Sequence, residues 1–307
     1  MTVVVTGASG FIGPAVVSAF ARRFPQVRAY VRRREAAEPL RALGAKVAVG
    51  DIDDLDTLEV VMRGAFTVCH LAGGVNLPDE RAYEETNLES VRSALEAATR
   101  AGVKRFLFLS YPGASPDASN PFLRCKGLAE EAVRGSGLQH AIVRSAHVYG
   151  MGGIWFACVV EGARRRPPLV VGPGDQVVAP VFVEDLADVL AAADDRRGSV
   201  SGTWAIEGPD RLSADALVDL LVGQRVDKEH LGPDRIGELV RLLERRVSLA
   251  ALQVLASDSL ADAPDAASEF GVTQSAFGAG LELTLERVPG ARLERLGRSE
   301  REGSERG

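Results

Sequence analysis

The sequence predicts an α/β fold: a doubly wound, mainly parallel sheet with helices on both faces and a small C-terminal lobe. Three observations carry that prediction. The chain opens on an apolar run, Val3-Val4-Val5, which passes through Thr6 into glycines at three-residue spacing (Gly7, Gly10, Gly13) and then into a helical pattern through Val16, Val17 and Phe20. Short apolar runs then alternate with helical stretches, as a parallel sheet with crossover helices requires. The 307 residues, 46% hydrophobic and 25% charged, suit a soluble globular chain that buries one large core or two modest ones.

A strand, a glycine turn and a helix in that order give the glycines a dinucleotide-binding reading. Gly7 lets the chain turn sharply out of the strand. Gly10 leaves room for a pyrophosphate against the backbone, and Gly13 lets the helix pack closely on the sheet. The unpaired N–H groups of the first helical turn then face the anion, aided by the helix dipole. The alternative is an ordinary tight strand-to-helix turn.

Residues 6–13, TGASGFIG, resemble the short-chain dehydrogenase/reductase superfamily. The FIG ending is similar to its extended and atypical branches: NAD-dependent epimerase/dehydratase-like enzymes, 3β-hydroxysteroid dehydrogenases, NmrA-like regulators and the nucleotide-binding accessory subunit of respiratory complex I. The resemblance extends to about residue 285. It implies a Rossmann sheet, with cofactor contacts from Gly7, Ser9, Gly10, Phe11, Ile12 and Gly13. Residues 1–150 are then the NAD(P)-binding domain. Residues 151–290 complete the sheet and form the substrate lobe, and residues 291–307 are a disordered tail.

A second strand fits Val27 to Val31 and is followed by Arg32, Arg33 and Arg34. An NAD site places an acidic residue at this strand end for the ribose 2′-hydroxyl. A basic one suits a 2′-phosphate, through charge-assisted bonds worth about 1.5–3 kcal/mol, roughly tenfold to hundredfold in affinity. The expected cofactor is therefore NADP(H) rather than NAD(H), with Arg32 as its contact. A third strand, Lys46 to Val49, leads to Asp51 and Ile52. The resemblance sets these two beside the adenine; Asp51 could equally cap the next helix, which starts near Asp54. The fourth strand, Phe66 to His70, ends in Leu71, Ala72 and Gly73, similar to the family's second cofactor loop; His70 reads as a packed core residue. Glu80 to Ala101 reads as one long helix, with Asn87 matching an asparagine that shapes the family's active site. Lys104 to Leu109 is a fifth strand, delivering Ser110 to the carboxyl edge where such sheets bind ligands.

In the family, a serine or threonine at this strand end works with Tyr-x-x-x-Lys on the next helix. The tyrosine is the general acid/base, and the lysine holds the ribose and lowers the tyrosine pKa. Spacing of i, i+4 puts both on one helix face. Here Lys126 fits the lysine, but Phe122 stands where the tyrosine belongs. Losing that group forfeits about 10²–10⁴-fold of rate. Three readings follow. Tyr111, Tyr149, His147 or the Lys126 ammonium supplies the proton; or the reaction needs less acid help; or there is no turnover. Tyr111 follows Ser110 on an extended segment, so alternation points it the opposite way and makes it a poor substitute. Tyr111, Phe122 and Tyr149 remain expected substrate-lining residues. A sixth strand, Leu138 to Val143, leads into Arg144 to Gly150, similar to a family segment bordering the nicotinamide. That makes Ser145 and His147 cofactor contacts, with Arg144 a structural ion-pair partner.

Beyond residue 150 the expected elements are a helix at Trp155 to Ala163 and a return to the sheet at Pro180 to Val183. A strand at Thr203 to Glu207, helix over 230–257 and a helix pair within 265–285 follow. Three scattered cysteines and a net charge of −6 point to reduced thiols in a cytoplasm, no metal site and no nucleic-acid partner. The immediate opening strand leaves no room for a signal peptide, and no apolar run is long enough to span a membrane. The function expected is an NADP(H)-dependent oxidoreductase or epimerase-like enzyme for a small organic carbonyl or hydroxyl substrate. Ser110 and Lys126 are its catalytic pair. The competing expectation is a non-catalytic NAD(P)-binding redox sensor or assembly subunit. Extended relatives imply a homodimer through the helices at 80–101 and 122–136; a monomer is equally compatible.

Overall fold

The computed structural model describes residues 1–195, 201–232 and 247–286. Its first half alternates strand and helix: β1 (Thr2–Thr6), α1 (Gly13–Arg23), β2 (Gln26–Val31), α2 (Ala37–Ala42), β3 (Lys46–Val49), α3 (Leu55–Met62) and β4 (Thr67–His70). Then come α4 (Glu80–Glu84), a π-helical turn (Glu85–Glu89), α5 (Ser90–Arg100), β5 (Arg105–Ser110), α6 (Pro121–Gly135) and β6 (Gln139–Ser145). The second half is made of shorter pieces: β7 (Val148–Tyr149), α7 (Ile154–Ala163), β8 (Leu169–Val171), β9 (Val177–Val178), β10 (Val181–Phe182) and α8 (Val183–Asp195). It ends with β11 (Gly202–Ile206), β12 (Leu212–Ser213), α9 (Ala214–Val222), β13 (Glu229–Leu231), α10 (Leu249–Leu255), α11 (Ala266–Phe270) and α12 (Phe277–Glu286).

Seven strands form one sheet in the order β11-β6-β5-β4-β1-β2-β3, all pairs parallel. Chain order reverses between β1 and β4, so their carboxyl ends flank the crevice where doubly wound sheets bind ligands. β1 is apolar because it is covered on both faces; Val3, Val4 and Val5 are wholly buried. Val3 and Val5 face one layer with Val16, Val17 and Phe20 of α1 and Leu186 and Leu190 of α8. Val4 faces the other, with Leu58, Val91, Leu95, Phe106, Phe108 and Phe122. A third core, around Tyr149, Phe156, Phe182, Leu217, Leu252 and Phe277, belongs to the small lobe.

Local chemistry sets the boundaries of the elements nearest the crevice. Asn120 caps α6, its Oδ1 accepting from the Phe122 and Leu123 amides, and Pro121 occupies the first turn, where its missing N–H costs nothing. This fixes the phase with which Phe122, Lys126 and Glu130 face the sheet.

Three expectations change. The long helix from Glu80 is interrupted by the π turn, which carries Asn87. Pro180 to Val183 does not rejoin the main sheet: among the described residues β10 pairs only with β7, and β11 supplies the seventh strand alongside β6. Glu229–Leu231 is a strand on β8 rather than the start of a helix. The rest of the expected 230–257 helix is split: residues 233–246 lie outside the described residues and α10 covers Leu249–Leu255. The 291–307 tail also lies outside the described residues. Cys69, Cys125 and Cys158 are buried, and none forms a disulfide among the described residues. Among the described residues no helix is long and apolar enough to cross a membrane.

Candidate active site

The glycine loop closes on itself before α1 begins, with the Gly10 amide donating to the Gly7 carbonyl and the Gly13 amide to the Gly10 carbonyl. Gly7 adopts φ +69°, and a Cβ there would collide with the backbone of Leu71 and Ala72, so loop and β4 end lie in contact. A Cβ on Gly10 would meet only the Gly7 carbonyl oxygen at 3.3 Å. Ser9 and Gly10 are exposed, and the α1 N-terminus has neither a side-chain cap nor an acidic residue in its first turn. That is open backbone at the positive end of a helix, suited to an anion. Phe11 turns away, its ring lying over Gly150, Gly152 and Gly153, and Ile12 packs between the main and small-lobe cores.

Arg32 follows β2 directly, is exposed, and has no hydrogen-bond or ion-pair partner among the described residues. Asp51 does not cap α3. Asp54 does, accepting from the Thr57 amide at 3.1 Å, while among the described residues the Asp51 carboxylate accepts only from Asp53 N at 3.3 Å. The helix cap falls three residues past Asp51, beyond the reach of its side chain, which leaves that carboxylate exposed beside the half-buried Ile52.

Across the crevice, Asn87 is wholly buried and grips the second loop: its Oδ1 accepts from Gly74 N at 3.0 Å and its Nδ2 donates to Gly74 O at 3.0 Å. A Cβ on Gly73 would sit 3.0 Å from Asn87 Oδ1 and 3.2 Å from Lys126 Nζ, so this loop runs over the lysine. Lys126 is 7% exposed and donates to the Leu109 carbonyl at 2.9 Å. Its ammonium lies 4.8 Å from the Phe108 ring centroid and 5.9 Å from that of Phe122. Burial pulls the ammonium down to about 8, against the opposing pull of Glu130. Glu130, one turn on, is held ionised by Arg144 and Arg134 despite its burial. Arg144 also reaches Asp262, so it ties α6 and β6 to the C-terminal segment.

Ser110 ends β5 as expected, whereas Tyr111 does not point the opposite way. Ser110 lies on the same sheet face as Phe106 and Phe108, is 4% exposed, and points into the layer of Glu130. β5 ends there, and a turn closed by Ala114 N on the Tyr111 carbonyl takes the backbone out of strand alternation. The Tyr111 ring therefore packs edge-on against Phe122, centroids 5.6 Å apart. Its hydroxyl lies 2.9 Å from His147 Nδ1 and 3.3 Å from Ser259 Oγ. His147 stacks on Trp155 at 4.7 Å, and burial lowers its pKa to about 3, so the ring is neutral. Ser145 is buried at the β6 end, its hydroxyl on the Ala146 carbonyl. His70 is a packed residue on Thr6 Oγ1 at 2.9 Å, its pKa lowered to about 3 by burial and then by the Lys126 charge.

Tyr149 is not a lining residue. It is wholly buried in the small-lobe core against Phe156, Phe182 and Phe277, and its hydroxyl donates to the Phe277 carbonyl. Two contacts carried no sequence signal. Ser259 sits in an irregular segment without periodicity, and Trp155 reads from sequence only as an apolar helix position.

Open helix-end amides, an unpaired arginine after β2 and a buried ammonium beneath the Gly73 loop together fit a dinucleotide lying across the β1/β4 crevice. Comparisons with known proteins agree. A family described as NAD(P)H-binding matches residues 7–154. The chain is 33% identical over 190 residues to a ceramide reductase of Caulobacter vibrioides, covering 62% of this chain and 60% of that protein. It is 29% identical over 228 residues to the Arabidopsis thaliana mitochondrial NADH dehydrogenase [ubiquinone] 1 alpha subcomplex subunit 9, covering 71% of this chain and 56% of the relative. Both matches span less than two thirds of the relative's length. A (4-alkanoyl-5-oxo-2,5-dihydrofuran-3-yl)methyl phosphate reductase of Streptomyces griseus is 30% identical over 236 residues, 76% of this chain and 78% of that one. In fold, the chain is similar to a Citrobacter sp. triphenylmethane reductase solved with NADP(H), at TM-score 0.76 and 20% identity, over 93% of this chain and 100% of that one. The chain belongs to the NAD(P)H-binding short-chain dehydrogenase/reductase superfamily, in its extended and atypical branch.

Proposed function

We propose that this protein is an NADP(H)-dependent oxidoreductase acting on a small organic carbonyl or hydroxyl substrate. The observation that carries the reading is Lys126: a buried ammonium, under the Gly73 loop and against Phe122, where the family's lysine works. Ordering so long and charged a side chain inside the protein is costly, and the Leu109 carbonyl takes one of the ammonium's three N–H groups, which leaves donors for a ligand. Gly7, Ser9, Gly10, Ile12 and Gly13 would hold the pyrophosphate, Arg32 the 2′-phosphate, and Asp51 and Ile52 the adenine. Leu71, Ala72 and Gly73 would border the ribose, whose hydroxyls Lys126 would hold. Ser145 and His147 would flank the nicotinamide. Bound in reduced form, the cofactor would supply the hydride. The reductase names of two relatives support the same chemistry.

The test follows NADPH oxidation across a panel of aldehydes and ketones, with Lys126→Met as control. Turnover by the wild type and at least about a hundredfold loss in Lys126→Met are expected. A second reading, a non-catalytic nucleotide-binding subunit or redox sensor, is favoured by Phe122 and by the similarity to the NADH dehydrogenase subunit. Tight NADPH binding with no oxidation of any panel member would establish it over the first.

A further inference from the structure

Phe122 keeps the ring of the missing acid and lacks its hydroxyl, yet a phenol hydroxyl stands beside it. Tyr111 follows β5 and His147 follows the neighbouring β6, so both rings emerge at the carboxyl edge of the sheet that carries the glycine loop. We infer that Tyr111 is the general acid of the reaction, with His147 and Ser259 as the groups that position its proton. This rests on the oxidoreductase reading above.

The hydrogen bonds around Tyr111 assign the protons. Ser259 Oγ accepts from the His147 amide at 2.9 Å and lies 3.3 Å from the Tyr111 oxygen. His147 Nε2 is buried with no partner among the described residues. A buried N–H left unpaired is rarer than a lone pair left bare. The imidazole therefore carries its proton on Nδ1 and donates it to the Tyr111 oxygen at 2.9 Å. The phenol proton is then free of the histidine, and its remaining partner is the longer contact to Ser259. Such a proton is easily turned toward a substrate oxygen. Burial raises the phenol pKa above its ordinary value, so the group is protonated at neutral pH.

In the step, hydride adds to the carbonyl carbon and the C=O π pair moves to oxygen. That oxygen takes the Tyr111 proton, so the carbonyl is reduced to an alcohol and the nicotinamide is oxidised. The phenolate left behind accepts from His147 Nδ1–H and Ser259 Oγ–H, and regains a proton from water as product leaves. A purely structural tyrosine, tying the end of β5 to the Ser259 segment, is the competing account.

Three measurements separate them. Tyr111→Phe should lose 10²–10⁴-fold in kcat while holding NADPH affinity within about twofold and Tm near the wild-type value. Adding Phe122→Tyr to that variant puts a hydroxyl back on the adjoining ring and should recover at least about tenfold of the lost rate. Histidine ¹⁵N NMR, with His147 identified by its loss in His147→Gln, should show a neutral ring protonated on Nδ1 whose shift moves in Tyr111→Phe. The inference is overturned if Tyr111→Phe keeps kcat within threefold. It is overturned if that variant loses Tm and NADPH affinity together with no rescue by Phe122→Tyr, or if His147 is protonated on Nε2. An active wild type with any of these results leaves the oxidoreductase reading standing. A wild type that binds NADPH and reduces nothing overturns both.

Discussion

Two glycines three residues apart do different work, and substitution separates them. Gly7 is fixed by the fold, since its φ of +69° and its contact with the β4 end exclude a side chain. Gly10 is spared that demand, because its missing Cβ faces open space apart from one carbonyl oxygen. Gly7→Ala is expected to destabilise by at least about 1–3 kcal/mol, whereas Gly10→Ala should stay within about 0.5 kcal/mol of wild type and still weaken NADPH binding. Urea unfolding and nucleotide titration of both variants check this. Lys126 makes a second prediction. Its folded pKa of about 8 lies below the ordinary lysine value, so the cost of burying its charge is fully present below pH 8. Between about pH 8 and 10.5 the unfolded chain binds more protons than the folded one, so this lysine's contribution to stability rises with pH. The gain is of the order of 3 kcal/mol. Relative to Lys126→Met, wild-type stability should climb across that window; a parallel pair of curves would contradict it. The glycine turn was legible in the sequence because a strand-to-helix turn fixes its place within a few residues, and Lys126 was singled out through the family resemblance. Tyr111 was not, since strand alternation predicts its direction only as far as the strand runs, and β5 stops one residue earlier.

Elements show the same division. Strands with strong apolar runs, such as β1 and β5, followed from the residues alone, whereas α6 was expected through the family resemblance and its Asn120 cap is a finding of the structure. The π turn at Glu85–Glu89 did not, because its cause is tertiary: Asn87 turns inward to hold both backbone groups of Gly74. That asparagine ties the α4–α5 region to the second loop, so its removal should act at both levels. Asn87→Ala should cost about 1–3 kcal/mol through orphaned buried polar groups and weaken NADPH binding as the Gly73 loop loosens. A variant that loses stability but binds nucleotide normally would separate the loop from the site. The short strands β7 to β9 escaped sequence reading for a simpler reason. Two- and three-residue pairings leave no periodicity to count.

At the scale of the molecule, the sheet order puts the carboxyl ends of β1, β2, β4, β5 and β6 on one edge, and every group assigned to the nucleotide lies on or beside it. The glycine loop, Arg32, the Gly73 loop and Lys126 are distant in sequence and converge only through that topology. Under the proposed reading Arg32 would set the cofactor preference, since its side chain is exposed and has no partner among the described residues. The most direct test is a fluorescence titration of the wild type and of Arg32→Ala with NADPH and with NADH. At least about tenfold tighter binding of NADPH by the wild type, with most of that margin lost in Arg32→Ala, is the predicted result; no binding of either nucleotide would contradict the account.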